Sequence, residues 1–149
     1  MIQTIIPEGV GEPQIRRAFM ALNQGLMKLS NWEMWREIDD HSGVALTAGT
    51  KAEIYVPYDC VLTQWTELAD QVGSVKIDLW VLPYASYPPT NANSICGANE
   101  PLINNAQSAQ DTTLSGWSPR LSAGDCIIAN VDSATTIERV MLHLVAERS

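Results

Sequence analysis

Histidine occurs twice in this sequence and cysteine three times, and none of the five residues forms a close pair or cluster. His41 and His143 are far apart, as are Cys60, Cys96 and Cys126, so neither a zinc site nor a redox motif has a framework. No metal and no cofactor are expected. An odd cysteine count, with no basic, apolar, small-residue leader at "MIQTIIPEGVGEP", points to free thiols in a reducing cytosol. Positive charge is also scarce: nine Lys and Arg against seventeen Asp and Glu give a net charge of -8. That balance disfavours a phosphate-binding surface, so nucleic acid is not an expected partner. No apolar run approaches the roughly 18 residues of a membrane-spanning helix, and no membrane partner is expected. Hydrophobic residues at 46% place the chain among folded proteins, and 149 residues can close one ordinary core.

The first patterned segment is "IRRAFMALNQGLMKL". Its large apolar residues, Ile15, Phe19, Leu22, Leu26 and Leu29, recur every three or four positions, the signature of an amphipathic helix. Pro13 suits the first helical turn, where its missing N–H costs nothing. Before it lies an extended arm, residues 1–11, in which Ile2, Ile5 and Ile6 are the attachment candidates. Beyond Ser30 the period changes to two. Strands are expected at 32–38, 51–57, 60–68, 74–82, 112–118, 126–131 and 135–147, with "DDHSG" at 39–43 as turn chemistry. Val75, Ile77, Leu79 and Val81 face one way, as do Val140, Leu142, Leu144 and Ala146. The expected fold is all-β: an antiparallel jelly-roll-like β-sandwich of residues 31–149, preceded by the extended N-terminal arm and one short amphipathic helix in residues 1–30. The Pro- and Asn-rich stretch 83–110 shows no period and is expected as a long irregular loop, tied down by Ile95, Leu102 and Ile103.

No residue presents itself as catalytic. Asp39, Asp40, His41 and Ser42 put an acid, a base and a hydroxyl side by side, but a triad is assembled from distant positions, and a hairpin turn is the plainer account. Asp111, Asp125 and Asp132 could gather around calcium, against the commoner reading of turn caps. "GVGEPQ" has Gln14 where a dinucleotide fingerprint needs its third glycine. Among five tryptophans, Trp80 falls on the polar face of its strand and is the candidate for contact with another subunit. Tyr84 and Tyr87 in the long loop are candidate receptor contacts, since aromatic rings stack on sugars.

From Ala52 onwards, "EIYVPYDCVLTQWTELADQVGSVKIDLWV", "SYPPTNANSICGANEPLINNAQSAQDTTLSGW" and "LSAGDCIIANVDSATTIERVMLHL" together resemble a β-sandwich module of tailed-bacteriophage virion proteins. The resemblance covers about two thirds of the chain. Separately, "GEPQIRRAFMALNQGLMKL" is similar to the short helix of phage fibre and baseplate proteins, with Gly11, Glu12, Pro13, Arg17, Ala18, Phe19 and Asn23 at matching places. There such a helix often lies on a threefold axis, so the resemblance implies a location in the virion and a trimer. The resulting expectation is a non-enzymatic homotrimer attached through its arm to other virion proteins. Read as a whole chain, it leaves no room for a long shaft, which favours capsid decoration or cement, or a head fibre, over a tail fibre. The competing expectation is a tail-fibre component that recognises a host surface glycan through residues 83–110.

Overall fold

The computed structural model describes residues 11–149, without the side chains of residues 25–29. The attachment candidates Ile2, Ile5 and Ile6 lie outside the described residues, as do the side chains of Leu26 and Leu29. The chain divides into two compact units between Asn31 and Trp32.

Helix α1 spans Glu12–Ser30, with Pro13 in its first turn. The Gly11 N–H donates to Gln14 Oε1 at 2.9 Å, which satisfies a donor just before the first turn. Glu12 and Arg16 pair across one turn at 2.9 Å, but both are exposed and the pair contributes about 0.5 kcal/mol at most. Of the apolar stripe, Ile15 is half-buried, while Phe19 and Leu22 are 63% and 60% exposed.

The second unit is built of β1 (Asn31–Asp39), β2 (Lys51–Tyr55), β3 (Cys60–Pro83), β4 (Leu102–Asp111), β5 (Arg120–Leu121), β6 (Asp125–Thr135) and β7 (Arg139–Arg148). They form one seven-stranded sheet whose main path runs β1-β7-β3-β6-β2, with β4 and β5 also on β3. Every pairing of β3 is antiparallel. β7 pairs with its first half, from Cys60 to Ala69, and β6 with its second, from Ser74 to Pro83. The all-β architecture is therefore as expected, although the strands belong to a single sheet that turns on itself through β3. Val75, Ile77, Leu79, Val131, Val140, Leu142 and Leu144 are all fully buried in one core. Each such side chain contributes roughly 1.5–3 kcal/mol relative to exposure.

Three expectations change. Residues 69–73 do not separate two strands, because β3 continues through them with irregular register around Gly73. A side chain there would collide with the backbone of Thr135 and the side chain of Thr136, so only glycine permits the close crossing. Second, the stretch 83–110 contains β4, which buries Ile103 and leans Ala106 and Ala109 on the core. Leu102, expected to tuck inward, is instead exposed. Third, residues 112–118 form turns. Asp111 accepts from the N–H groups of Thr113 and Leu114, and Leu114 and Gly116 adopt left-handed φ values of 48° and 78°. Leu114 and Trp117 are nevertheless buried.

The rest of the long stretch covers the outer face of β3. The Ile95 N–H donates to the Leu79 carbonyl at 2.9 Å, and Ser94 bridges to Trp80. Trp80 is consequently buried within its own chain and does not offer an exposed contact to another subunit. Its indole N–H donates to Asp78 Oδ2 at 2.7 Å, while the Ser94 hydroxyl donates to Asp78 Oδ1 at 2.6 Å.

Candidate functional site

Strands β1 and β2 are the two ends of the sheet's main path. The Arg36 side chain reaches from one to the other. Arg36 on β1 donates from Nε to the Glu53 carbonyl of β2 at 2.8 Å and from Nη1 to the Trp35 carbonyl at 3.2 Å. A guanidinium has five N–H donors in a rigid fork, so two anchored donors fix its plane and leave others directed elsewhere.

Two hollows flank this tether. One, of about 270 Å3, has Met34 and Ile54 in its lining with Trp35 and Tyr55. The other, of about 290 Å3, is lined by Glu53, Ile54, Cys126 and the rings of Tyr55, Tyr84 and Tyr87. Arg36, Ile54 and Tyr55 belong to both. Period-two geometry explains the arrangement, because Ala52 and Ile54 point into the core while Glu53 and Tyr55 point out. Tyr84 and Tyr87 reach the same place through a short 3-10 turn, in which the Tyr84 N–H donates to the Gly124 carbonyl and the Tyr87 N–H to the Tyr84 carbonyl. Tyr55, Tyr84 and Tyr87 all keep large exposed areas.

The structure thus brings Tyr84 and Tyr87 together with residues that sequence reasoning did not single out: Arg36, Glu53 and Tyr55. Alternation in "KAEIY" already directed Glu53 and Tyr55 outward. What could not be read was that the sheet would curl far enough to set β1 beside β2.

A third, more polar hollow of about 350 Å3 is lined by Asp39, His41, Gly43, Asp70, Glu138 and Arg139. Two of its three acids, Asp39 and Asp70, accept hydrogen bonds from backbone N–H groups, and Asp39 Oδ2 also stands 3.4 Å from His41 Nδ1. Asp39 accepts from the His41 N–H, and Asp70 Oδ1 from the N–H groups of Glu138 and Arg139 at 3.2 Å. Ser42 Oγ lies by the Val44 backbone, so the adjacent acid, base and hydroxyl are turn chemistry. Of the acids weighed for calcium, Asp125 accepts from the Ser122 N–H and Asp132 from the Asn130 side-chain amide. Hydrogen bonds from Thr113, its N–H first, hold the Asp111 carboxyl below its usual range. Among the described residues no group of His, Cys, Asp and Glu is arranged to hold a metal ion. All three cysteines are free and buried.

Glu67 was not singled out from sequence. It is fully buried on β3, and neither carboxyl oxygen has a hydrogen-bond partner. Burial pushes its carboxyl up to about 8.

No family model matches the chain, and no curated protein matches it. Among solved structures, it resembles part of a serine protease of Aeromonas sobria, with a TM-score of 0.35, 6% identity, and coverage of 78% of this chain and 27% of that one. The same protease solved with its chaperone gives a TM-score of 0.35 and 8% identity over 80% of this chain and 27% of that one. The chain therefore spans about a quarter of the length of these structures, and a likeness this slight carries no inference about activity.

Proposed function

We propose that this chain is a non-enzymatic structural protein of a tailed-bacteriophage particle, a homotrimer that serves as a capsid decoration or cement protein or as a head-fibre component. The single observation that supports assembly is the exposure of Phe19 and Leu22 on α1. Large apolar side chains at helical spacing want cover, and burying each would contribute roughly 1.5–3 kcal/mol. A spacing that averages 3.5 residues suits packing against copies of the same helix. Two heptads are too short to hold subunits alone, so the β-unit must share the interface. Leu68 and Val72, exposed large apolar residues on β3, are candidates for that share. The location in a virion rests on the sequence resemblance, and attachment to a neighbouring virion protein is assigned to Ile2, Ile5 and Ile6.

Sedimentation velocity tests the assembly. Wild-type protein should run as a trimer, and Phe19→Asp with Leu22→Asp should run as a monomer with an unchanged β-sheet circular dichroism signal. A wild-type monomer, or a double variant that remains trimeric, would refute the assigned role of α1. Binding of purified protein to particles lacking it, and loss of that binding on deletion of residues 1–10, tests the attachment arm.

A further inference from the structure

We infer that the seam between β1 and β2 is a carbohydrate-binding site, which takes a neutral pyranose oligosaccharide lying across Tyr55 with one sugar ring on either side. The inference stands independently of trimer assembly.

Three observations converge on this ligand class. First, the walls are aromatic and open. Tyr55, Tyr84 and Tyr87 keep exposed rings around one hollow, and Trp35, 58% exposed, stands at the other. Rings of this kind present a flat apolar face beside a polar tip, which matches a pyranose with its C–H face and its rim of hydroxyls. Second, fixed polar groups stand beside those rings. Arg36 is held by two backbone carbonyls and retains further N–H donors, and the Glu53 side chain is an exposed acceptor at the same hollow. A donor fork and a carboxylate side by side suit vicinal hydroxyls, which both give and accept hydrogen bonds. Third, the hollows come as a pair. Each lies at or below the roughly 300 Å3 lower bound of ordinary small-molecule sites, and Tyr55 belongs to both. An occupant that fills both is a chain of small rings.

The same geometry argues against other occupants. A peptide adding as a strand to the free edge of β2 needs its backbone acceptors, and Arg36 already occupies the Glu53 carbonyl. Pro57, in the lining of the first hollow, offers no N–H to an added strand. A polyanion meets Glu33 and Glu53 at the seam, in a chain of net charge -8.

The test uses full-length protein on an array of bacterial, plant and animal oligosaccharides, followed by calorimetry in solution with the best neutral oligosaccharide found. Binding should weaken roughly fivefold to tenfold in Tyr55→Ala and in Tyr84→Ala. Near-UV circular dichroism should stay native, since both rings are largely exposed. The Phe19→Asp, Leu22→Asp protein should bind with unchanged affinity per chain, which separates this site from the assembly reading. Three outcomes overturn the inference: no oligosaccharide bound at millimolar concentration, binding that survives both tyrosine substitutions, or saturable binding of extended peptides at the seam in preference to sugars.

Discussion

The two halves of β3 each bury one carboxyl group, and they treat it in opposite ways. In the second half, Asp78 lies beneath the 84–101 stretch and receives one hydrogen bond from Trp80 and another from Ser94. In the first half, Glu67 faces the core with no partner for either oxygen. One group is buried because a polar network was built around it. The other is carried inward by the register of the strand. Pairing with β7 slips between Leu62 and Gln64, and after that slip Trp65 and Glu67 are buried while Gln64 and Thr66 are only partly so. A buried carboxyl with partners stabilises a unique packing, whereas one without them costs free energy whenever it ionises.

Four substitutions break or sharpen this contrast. Gly73→Val acts on the crossing between the halves and should have the largest effect. The added side chain meets the Thr135 backbone and Thr136, so soluble folded protein should be lost, beyond the roughly 4–5 kcal/mol that marks exceptional single substitutions. Recovery of a cooperatively folded variant would show that the two halves can separate. Asp78→Ala should come next, lowering stability in urea by about 3 kcal/mol, because it strands the buried Trp80 indole N–H and removes the Ser94 hydroxyl's acceptor.

Glu67→Leu should have the opposite sign. The folded carboxyl titrates near 8, against an ordinary value of 4.5. The fold therefore holds a proton that the unfolded chain has released. Wild-type stability from this group is complete below about pH 4.5 and falls as pH rises, until the loss levels off above about pH 8. Glu67→Leu should flatten that slope, and at pH 9 should be more stable by on the order of a few kcal/mol. A wild-type melting temperature that stays level between pH 5 and 9 would sink this account of Glu67. Ser94→Ala is the mildest, about 1 kcal/mol in a urea titration, because Asp78 keeps its bond from Trp80.

Much of this fold was legible in the alternation of "SVKIDLWVL" and of the last strand, whose predicted inward sets are buried almost without exception. Sheets with one wet face write themselves plainly into sequence. β4 was not legible, because "LINNAQSAQD" pairs by its backbone while leaning only Ile103 and small alanines on the core. Trp80 misled for a related reason. Its strand parity was read correctly as the face opposite Val75, Ile77 and Leu79, but a face can be covered later by chain without periodicity. Two of the five residues of the candidate site, Tyr84 and Tyr87, followed from composition. Arg36, Glu53 and Tyr55 required the closure of the sheet, a long-range fact that no local window contains.

That closure has a mechanical consequence. Along its other neighbours the sheet is stitched by rows of backbone rungs, whereas β1 and β2 are not neighbours in the strand order, and among the described residues Arg36 reaches from one to a carbonyl of the other. Parting that wall would break the Arg36 bond and uncover Met34 beside Ile54, yet it would cost no backbone rung of the sheet.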